Sequence, residues 1–534
     1  MSQLLASAVR NSSWTGISSL GNAVLGFLFA GVTIRWLGPA EAGFVIAVTT
    51  IAGINAGLSE LGLGTAATRL IARAHGEHDT PTILRVGGVC CLVSLIFGIL
   101  GFAIFAFGAP FIVHWAKYSG DSRAAVIYCA LAGFVFLLSQ LSALFTALLS
   151  SAQRFDWTTK LNLGLNFAQG LCGITLLKFF PSVLTVGITY FSLAVIGAIL
   201  RALAVHKVFK VFPWPRWHRS TFSELWEFGR WIYLAQITGK MGDGLDKVVL
   251  VSLFGSAALP FYSFAQRIYL MVHMTLVNQA TYLFPMLSAQ GHNLEEVAER
   301  TEERVRWFIA LVSGLIFSGL IIAGPALLTA VVNAAFATQA SFQLLVFSFV
   351  GYIHAQSIVP YFYNLSKGDA KGNSIYQIIT GFGILPTLYA CAFFFGRQYA
   401  ALGQLMILAG VLYLGHRTRP EKAGFDLVRW FFKPLYSSIA LMSVATAIHF
   451  VMFWMSAPMA AQAGVVILFY VAVALSIARI EQHLLDGHRR VETLGRGLSI
   501  VLKKVGLSSR ALFFILAIPQ HPVEAGTAEI RTDV

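Results

Sequence analysis

Charge is scarce in this sequence: only 12% of its 534 residues are Asp, Glu, Lys or Arg. Soluble globular chains carry about 25% charged residues. Hydrophobic residues instead make up 57% of the chain. The composition therefore excludes an ordinary soluble domain and predicts an integral membrane protein.

Cysteine and catalytic motifs are scarce as well. No Walker-type lysine loop, His-Glu-x-x-His pattern or Cys-x-x-Cys pattern occurs in the sequence. The five cysteines lie in apolar stretches without metal-ligand spacing, which predicts small apolar fillers: Cys90, Cys91, Cys129, Cys172 and Cys391. We expect no enzyme activity, no cofactor and no metal site.

Apolar stretches of about 20 residues, enough to cross a bilayer as a helix, recur along the chain. Their hydrophobic residues are continuous and do not alternate with polar ones, so the predicted spans are helices. We predict fourteen spans, near residues 14–34, 43–63, 86–108, 124–149, 161–180, 183–206, 229–254, 258–284, 305–332, 340–363, 374–396, 398–415, 435–456 and 460–480.

Three loop landmarks recur at nearly one offset. The segment around Gly38 reappears in degraded form around Gly255, 217 residues later. Ala74-His75-Gly76 corresponds to Ala289-Gln290-Gly291, and Ser151 to Ser366, both 215 residues apart. This pattern predicts two pseudo-symmetric six-helix bundles with a substrate path between them, the usual build of a transporter.

The predicted organisation has five parts. Residues 1–206 form the N-terminal bundle and 229–415 the C-terminal bundle, joined by a basic, Trp-rich linker at 207–228. An additional helix pair at 435–480 and a cytoplasmic tail at 481–534 follow.

Basic residues predict the orientation. Of 38 Lys and Arg residues, five lie in the predicted outer loops and three within spans, which leaves 30 for the inner loops, span ends and tails. This bias places both termini in the cytoplasm. The net charge of +14 then reflects topology and contact with anionic membrane lipids, not nucleic-acid binding.

Charged side chains at membrane depth are the candidates for function, because such groups usually face a bundle interior or a water-filled cavity. The seventh span holds Lys240, Asp243, Asp246 and Lys247, and Arg267 in the next span can pair with Asp246. These residues either line a cavity or form a salt-bridge ladder that neutralises itself.

Two further charges lie near span ends. Glu60, at the inner end of the second span, either titrates to couple an ion or pairs with Arg69 or Arg73. Arg35, at the outer end of the first span, either binds an anionic headgroup or snorkels to the interface. Two lone histidines in spans, His273 and His354, are expected to serve packing or hydrogen bonding.

Two segments resemble the polysaccharide transporter family of the multidrug/oligosaccharidyl-lipid/polysaccharide flippase superfamily. The first runs over residues 35–72 and contains Arg35-Trp36-Leu37-Gly38 and Glu60-Leu61-Gly62. The second runs over 246–268, with Asp246, an apolar run and Phe261-Tyr262-Ser263-Phe264-Ala265. Pro260 departs from the family pattern, as does the long tail after residue 480.

The resemblance implies a flippase of the bacterial inner membrane with a V-shaped cavity between its bundles. It would move a polyprenyl-(pyro)phosphate-linked oligosaccharide from the inner to the outer leaflet by alternating access. Proton or sodium, membrane lipids, and glycan polymerase or export proteins are the partners that the resemblance suggests. We assign headgroup contact to Arg35, Lys240, Lys247 and Arg267, and charge balance or ion coupling to Glu60, Asp243 and Asp246.

Three alternatives stay open. A drug or metabolite antiporter of the same superfamily would have a cavity dominated by carboxylates. A membrane-embedded glycan polymerase or ligase would need a sizeable outer loop, and no predicted outer loop exceeds about fifteen residues. A scaffold without transport activity would have a closed interior.

Overall fold

The computed structural model describes residues 2–77, 79–281, 283–288, 294–418, 431–432, 435–455, 461–462, 464–470 and 472–473. Side chains are described for most of these residues, but not for 2–20, 22–23, 234–243 and a few others. Within this described part the regular structure is helical and contains no β-strand. The all-helical class predicted from the continuous apolar runs is confirmed.

Helices occupy the predicted spans up to residue 454, although the first helix covers the first two spans and some later spans are divided between two helices. In order they are α1 (Ser2–Ser59), α2 (Leu63–Gly76), α3 (Thr80–Phe107), α4 (Ala109–Trp115), α5 (Ser122–Ser151), α6 (Phe155–Phe179), α7 (Val183–Phe209), α8 (Arg219–Phe254), α9 (Leu259–Ala280), α10 (Leu283–Ser288), α11 (Leu294–Val331), α12 (Ala334–Ala355), α13 (Ile358–Ser366), α14 (Ala370–Phe382), α15 (Ile384–Phe395), α16 (Ile407–Thr418) and α17 (Tyr436–Trp454). Short 3-10 helices cover Ser256–Ala258 and Arg397–Met406.

Eight helical segments of the described residues are long and apolar enough to cross a membrane. Their mean hydropathy and length fit the roughly 30 Å hydrocarbon core of a bilayer. Most of the last predicted span, 460–480, lies outside the described residues, as does the tail from 474. The chain is thus a multi-pass membrane protein, and the number of fourteen spans stays a prediction.

The first two predicted spans are one helix, α1, broken at Gly38. Gly38 has φ 78° and ψ 170°, and Pro39 follows it. Gly255, which ends α8, has φ 79° and ψ 173°. This region of backbone space is essentially restricted to glycine. The two positions matched from sequence therefore share one unusual conformation, which supports the predicted duplication.

A second landmark pair is also equivalent in structure. Ser151 ends α5 and Ser366 ends α13, and each hydroxyl donates to the carbonyl three residues earlier at 2.7 Å. Two residues further on, Gln153 and Gly368 both have positive φ. The next helices begin at 155 and 370, four residues after each serine. The third pair cannot be compared, because 289–291 lie outside the described residues.

Helices pack on one another within each predicted bundle and also between the two, through α1 on α8 and α9. We call residues 1–206 the N-terminal half and residues 229–415 the C-terminal half, and their division into two bundles stays a prediction. In residues 1–206, α3 packs on α5, α5 on α7, and α6 on α7 and α1. In residues 229–415, α9 packs on α12, α14 on α16, and α8 on α14 and α15. At the predicted inner end of the second half, Arg417 bonds Asp369 at 2.8 Å and so lowers the pKa of that carboxyl.

The predicted linker, 207–228, packs on the N-terminal half. Leu225 is fully buried in an apolar cluster with residues of α2, α3, α5 and α7. The Arg216 amide donates to the Gly88 carbonyl at 3.1 Å, and a Cβ at Gly87 would lie 2.7 Å from the Pro213 Cβ. Helix α8 begins at Arg219, ten residues before the predicted span. The apolar residues at its start pack on the apolar cluster of the N-terminal half.

The two halves contact each other at the end that the charge distribution predicts to be outer. The Ser256 amide donates to the Ala116 carbonyl at 2.8 Å. Lys117 Nζ reaches the Leu253 carbonyl at 3.1 Å, and the Trp115 indole donates to the Ser252 hydroxyl at 3.1 Å. We call these three hydrogen bonds the outer contact.

The described residues within 303–323 and 432–473 form a separate compact unit. Within it, Tyr470 donates to the Leu315 carbonyl at 2.8 Å. A Cβ at Gly319 would overlap the Tyr470 hydroxyl, so close packing there depends on this glycine. Helix α17 covers the first member of the predicted additional pair.

Replacing Gly38 with Ala should destabilise the protein through backbone strain alone, by about 1–3 kcal/mol. A Cβ at Gly38 would meet no atom within 4 Å, so steric overlap does not contribute. Thermal unfolding in detergent, followed by intrinsic tryptophan fluorescence, measures the effect.

Gly164→Ala is the matched control, because Gly164 lies inside α6 and its Cβ would also meet nothing within 4 Å. Ala is favoured over Gly inside a helix by roughly 0.5–1 kcal/mol. An equal melting temperature for the two variants would contradict the assigned strain.

Candidate functional site

A cavity of about 470 Å³ lies between the two halves. Helices α1, α6 and α7 line one side of it, and α8 and α9 the other. The described polar side chains in its lining are Thr33, Thr49, Thr50, Asn166, Gln169, Tyr190, Lys247, Ser263, Gln266 and Arg267. We call this space the central cavity. It contains two cations and, among the described residues that line it, no carboxylate.

Arg267 extends from the C-terminal half towards α1. A Cβ at Gly26 would lie 2.8 Å from Arg267 Nη2, so the guanidinium lies against the backbone of α1. The side chain is exposed to the central cavity although helices surround it. Among the described residues it makes no ion pair and no hydrogen bond. The N–H donors along the edges of the planar guanidinium are therefore available to a ligand.

Lys247 is the second cation of the central cavity, and its charge is balanced by Asp246. Lys247 Nζ lies 3.3 Å from Asp246 Oδ1, with 15% of the lysine side chain and 1% of the aspartate side chain exposed. The predicted pair between Arg267 and Asp246 is not formed in the described structure. The carboxylate binds Lys247, Tyr262 and Gln266 instead.

Asp246 is almost completely buried and accepts several hydrogen bonds. Its Oδ2 accepts from Tyr262 Oη at 2.9 Å and from Gln266 Nε2 at 2.7 Å. Gln404 Nε2 lies 3.3 Å from the same oxygen. One carboxylate thus ties together α8, α9 and the 3-10 helix Arg397–Met406, as expected for a buried charge that must be paired.

A second cavity, of about 350 Å³, lies inside the C-terminal half. We call it the inner chamber. Asp246, Gln266 and Gln404 line it at one end. Its other polar lining residues are Tyr269, His273, His354, Ser357, Tyr361, Tyr376, Gln377 and Thr380. Gln266 and Leu270 line both cavities, so one turn of α9 separates the two spaces.

The remaining predicted site residues lie elsewhere. Arg35 is exposed, three residues before the break in α1, and does not line the central cavity. Lys240 and Asp243 lie on α8, but their side chains are outside the described residues.

Glu60 lies at the predicted inner end of the N-terminal half. It lines a third cavity of about 600 Å³, together with Arg69 and hydroxyl and amide side chains of α2, α3 and α5. Arg73, one of its two predicted partners, pairs with Glu77 at 3.0 Å.

Sequence reasoning missed most of the neutral polar residues of the central cavity. Asn166, Gln169 and Tyr190 are not among the candidate residues selected from the sequence. A spacing signal was available, because Asn166 and Gln169 lie three residues apart on α6 and therefore on one helix face. Nothing in the sequence placed that face opposite Arg267.

Replacing Asp246 with Asn should lower the stability of the protein by about 1–3 kcal/mol. The change removes charge-assisted hydrogen bonds from Tyr262 and Gln266 and leaves the charge of Lys247 without this partner. Thermal unfolding in detergent measures the loss.

The control is Asp156→Asn. Asp156 also pairs with a cation, Arg154, at 3.0 Å, but 47% of its side chain is exposed. Exposed pairs contribute at most about 1 kcal/mol. If the two variants lose equal stability, the contacts of Asp246 stabilise the protein no more than an exposed ion pair does, which contradicts the prediction.

Comparisons with known proteins agree with this arrangement. A family model described as "Polysaccharide biosynthesis protein" matches residues 8–290. A putative O-antigen transporter of Shigella flexneri is 23% identical over 328 residues, which covers 59% of this chain and 76% of that protein.

The fold is similar to those of solved transporters. The lipid II flippase MurJ in an inward closed conformation has a TM-score of 0.67 at 14% identity, and the match covers 87% of this chain and 98% of the MurJ chain. An inward-facing multidrug resistance transporter of the MATE family, in the MOP superfamily, has a TM-score of 0.61 at 14% identity. That match covers 80% of this chain and 99% of the transporter chain. These similarities are to transporters, not to enzymes. Because the family model matches more than half of the sequence, the chain belongs to the polysaccharide biosynthesis protein family and has the fold of the MOP transporters.

Proposed function

We propose that this protein is a flippase that moves a polyprenyl-(pyro)phosphate-linked oligosaccharide from the inner to the outer leaflet of the bacterial inner membrane. The observation that carries the proposal is the charge of the central cavity. Lys247 and Arg267 line it, and no described lining residue is a carboxylate.

The depth of the two cations fits an anionic headgroup in transit. Lys247 lies seven residues before the end of α8, and Arg267 eight residues after the start of α9. At a rise of 1.5 Å per residue both lie about 10–12 Å from those helix ends. A charge this far from the end of a spanning helix is expensive in lipid. Lys247 has a counter-charge in Asp246, whereas Arg267 makes no ion pair among the described residues, so Arg267 is best explained by an anion that it binds.

The chemistry of a pyrophosphate suits these side chains. A guanidinium can bind phosphate oxygens through two parallel hydrogen bonds, while an ammonium acts as a compact point charge. Threonine, asparagine and glutamine side chains of α1 and α6 supply donors and acceptors for sugar hydroxyls. The lipid tail needs no such site, because it can stay in the bilayer.

The relatives favour the same class of substrate. The Shigella flexneri protein is a putative O-antigen transporter, and MurJ is a lipid II flippase. One name describes the transport of O-antigen and the other the flipping of a lipid. We therefore extend the substrate class, but not the identity of the glycan, to this chain.

Alternating access requires that the outer contact opens and closes. Its three hydrogen bonds each contribute roughly 0.5–1.5 kcal/mol, so opening costs a few kcal/mol in all. A ligand that binds one state more tightly can supply a free-energy difference of this size. We infer that the outer contact is the gate on that side.

The other predicted residues keep their proposed roles. We place Arg35 at the outer mouth of the path and Lys240 on the inner part of α8, both as headgroup contacts. Asp246, Asp243 and Glu60 remain the candidates for charge balance or ion coupling. A cation antiporter is the weaker proposal, because the one described carboxylate nearby, Asp246, is paired with Lys247.

Removing the cavity cations should abolish export of the glycan. We expect the double variant Lys247→Gln/Arg267→Gln to lower surface glycan at least tenfold in cells that lack another flippase for it. The physical reason is the loss of both charges that offset the pyrophosphate. Glycan staining of the cell surface and membrane levels of the protein are the measurements.

Lys247→Arg/Arg267→Lys retains both charges and should retain most export. Arg397→Gln is the neutral control, because Arg397 bonds Gln339 at 2.9 Å within the C-terminal half and does not line the central cavity. Wild-type export by a correctly inserted double Gln variant would refute the proposed headgroup site.

A disulfide across the outer contact should stop transport. In a background without the five native cysteines, we expect Ala116→Cys/Ser256→Cys to crosslink on oxidation, because the two backbones are hydrogen bonded and within disulfide reach. Flipping of a fluorescent polyprenyl-pyrophosphate glycan in proteoliposomes should fall to background and return with dithiothreitol. Single cysteine variants are the controls, and undiminished flipping by the crosslinked protein would rule out this gate.

A further inference from the structure

Two histidines that are 81 residues apart in sequence stack face to face in the inner chamber. The ring centroids of His273 and His354 are 3.7 Å apart, and the ring planes differ by 9°. His354 Nδ1 is 2.6 Å from the Tyr269 hydroxyl. His273 is 6% exposed, and its Nδ1 has no hydrogen-bond partner in the described structure.

The histidine pair and Asp246 are connected along one face of α9. Tyr262, Gln266, Tyr269 and His273 are spaced by four, three and four residues, so they share a helix face. Tyr262 and Gln266 bind the Asp246 carboxylate, while Tyr269 binds His354. The face therefore carries polar groups without interruption from the carboxylate to the imidazoles.

The inner chamber contains few other groups that titrate. Among the described residues of its lining they are Asp246 from α8, Tyr269 from α9, Tyr361 from α13 and Tyr376 from α14. A volume of about 350 Å³ holds roughly ten water molecules at about 30 Å³ each, enough to bridge gaps between these groups.

Stacked imidazoles at this distance cannot both carry a charge. Like charges so close disfavour double protonation, so the pair titrates as a unit. A free histidine gains its proton near pH 6.5. The pair can therefore hold at most one proton.

We propose that the His273–His354 pair is the proton-binding site that couples a proton gradient to transport. The proton leaves a ring nitrogen of the singly protonated pair and travels through the Tyr269 hydroxyl and chamber water. It then binds a carboxylate oxygen of Asp246, and the pair returns to its neutral form. No bond other than these N–H and O–H bonds forms or breaks.

Protonation of Asp246 makes the net charge beside the central cavity more positive. The neutral carboxyl no longer balances the Lys247 ammonium, which lies 3.3 Å from Asp246 Oδ1 and lines the central cavity. The cavity then attracts an anionic headgroup more strongly, and loss of the proton reverses this. A proton in the inner chamber thereby controls affinity in the neighbouring cavity. This step rests on the proposed function, because it assumes that Lys247 contacts the anionic headgroup of the transported lipid.

The experiment uses full-length protein in proteoliposomes and a fluorescent polyprenyl-pyrophosphate disaccharide as the probe. We expect an imposed pH gradient without sodium to accelerate wild-type flipping about tenfold. His273→Gln and His354→Gln should keep the slow rate measured without a gradient but lose this acceleration. Tyr269→Phe should lose most of it, because the ring remains and only the hydroxyl is removed.

His449→Gln is the matched control, because His449 is another buried histidine of an apolar helix, α17, and is absent from the chamber lining. It should respond to the gradient like the wild type. Full acceleration in either chamber variant overturns the proposal. So does a wild type that responds to a sodium gradient at constant pH and not to a pH gradient.

A second measurement does not depend on transport. Unfolded chains bind two protons at these histidines below about pH 6, whereas the proposal gives the folded pair one. Stability should therefore fall as the pH drops from 7 to 5. On unfolding at about pH 5, the wild type should take up about one proton more than the His273→Gln/His354→Gln double variant, or than a double variant with His273→Asn if the first does not fold. A difference of two means that the folded pair binds no proton and overturns the proposal, and absence of flipping by every protein, wild type included, counts against the proposed function instead.

Discussion

A buried carboxylate needs partners, and Asp246 obtains them from three separate segments of the C-terminal half. Removing such a charge from water costs several kcal/mol unless hydrogen bonds and a counter-charge offset the loss. Tyr262, Gln266 and Gln404 provide the bonds, and Lys247 provides the charge. The positions of α8, α9 and residues 397–406 relative to one another follow from this requirement.

The glycine breaks impose a second constraint, at the predicted outer end. Gly38 and Gly255 share nearly the same φ and ψ, and each lies between a long helix and the next. Both breaks bring their following helix back beside the other half: Ser256 bonds Ala116, and a Cβ at Gly43 would overlap the Ser256 carbonyl. The duplicated turn thus forms the close approach between the halves, which links the repeat in the sequence to the outer contact, the proposed gate.

Sequence alone predicted the helices well because hydrophobicity is a local property. The sequence also matched Ser151 with Ser366, because the end of a helix is determined by residues close to it in sequence. The composition of the cavities was less accessible, because it depends on which helix faces meet. Arg35 was expected in the cavity and lies outside it, whereas Tyr190 lines it. The stacking of His273 on His354 could not be predicted, although the regular polar spacing from Tyr262 to His273 was visible.

The two cavities meet at adjacent residues of one helix. Successive side chains on an α-helix point about 100° apart, so Asp246 faces the inner chamber while Lys247 faces the central cavity. A proton on Asp246 would therefore remove the counter-charge that lies 3.3 Å from Lys247 Nζ, where screening by bulk water is weak. No large movement is needed for this proposed step. Helix α8 thus lies between the proposed proton site and the proposed headgroup site, and adjacent residues of α8 connect the two.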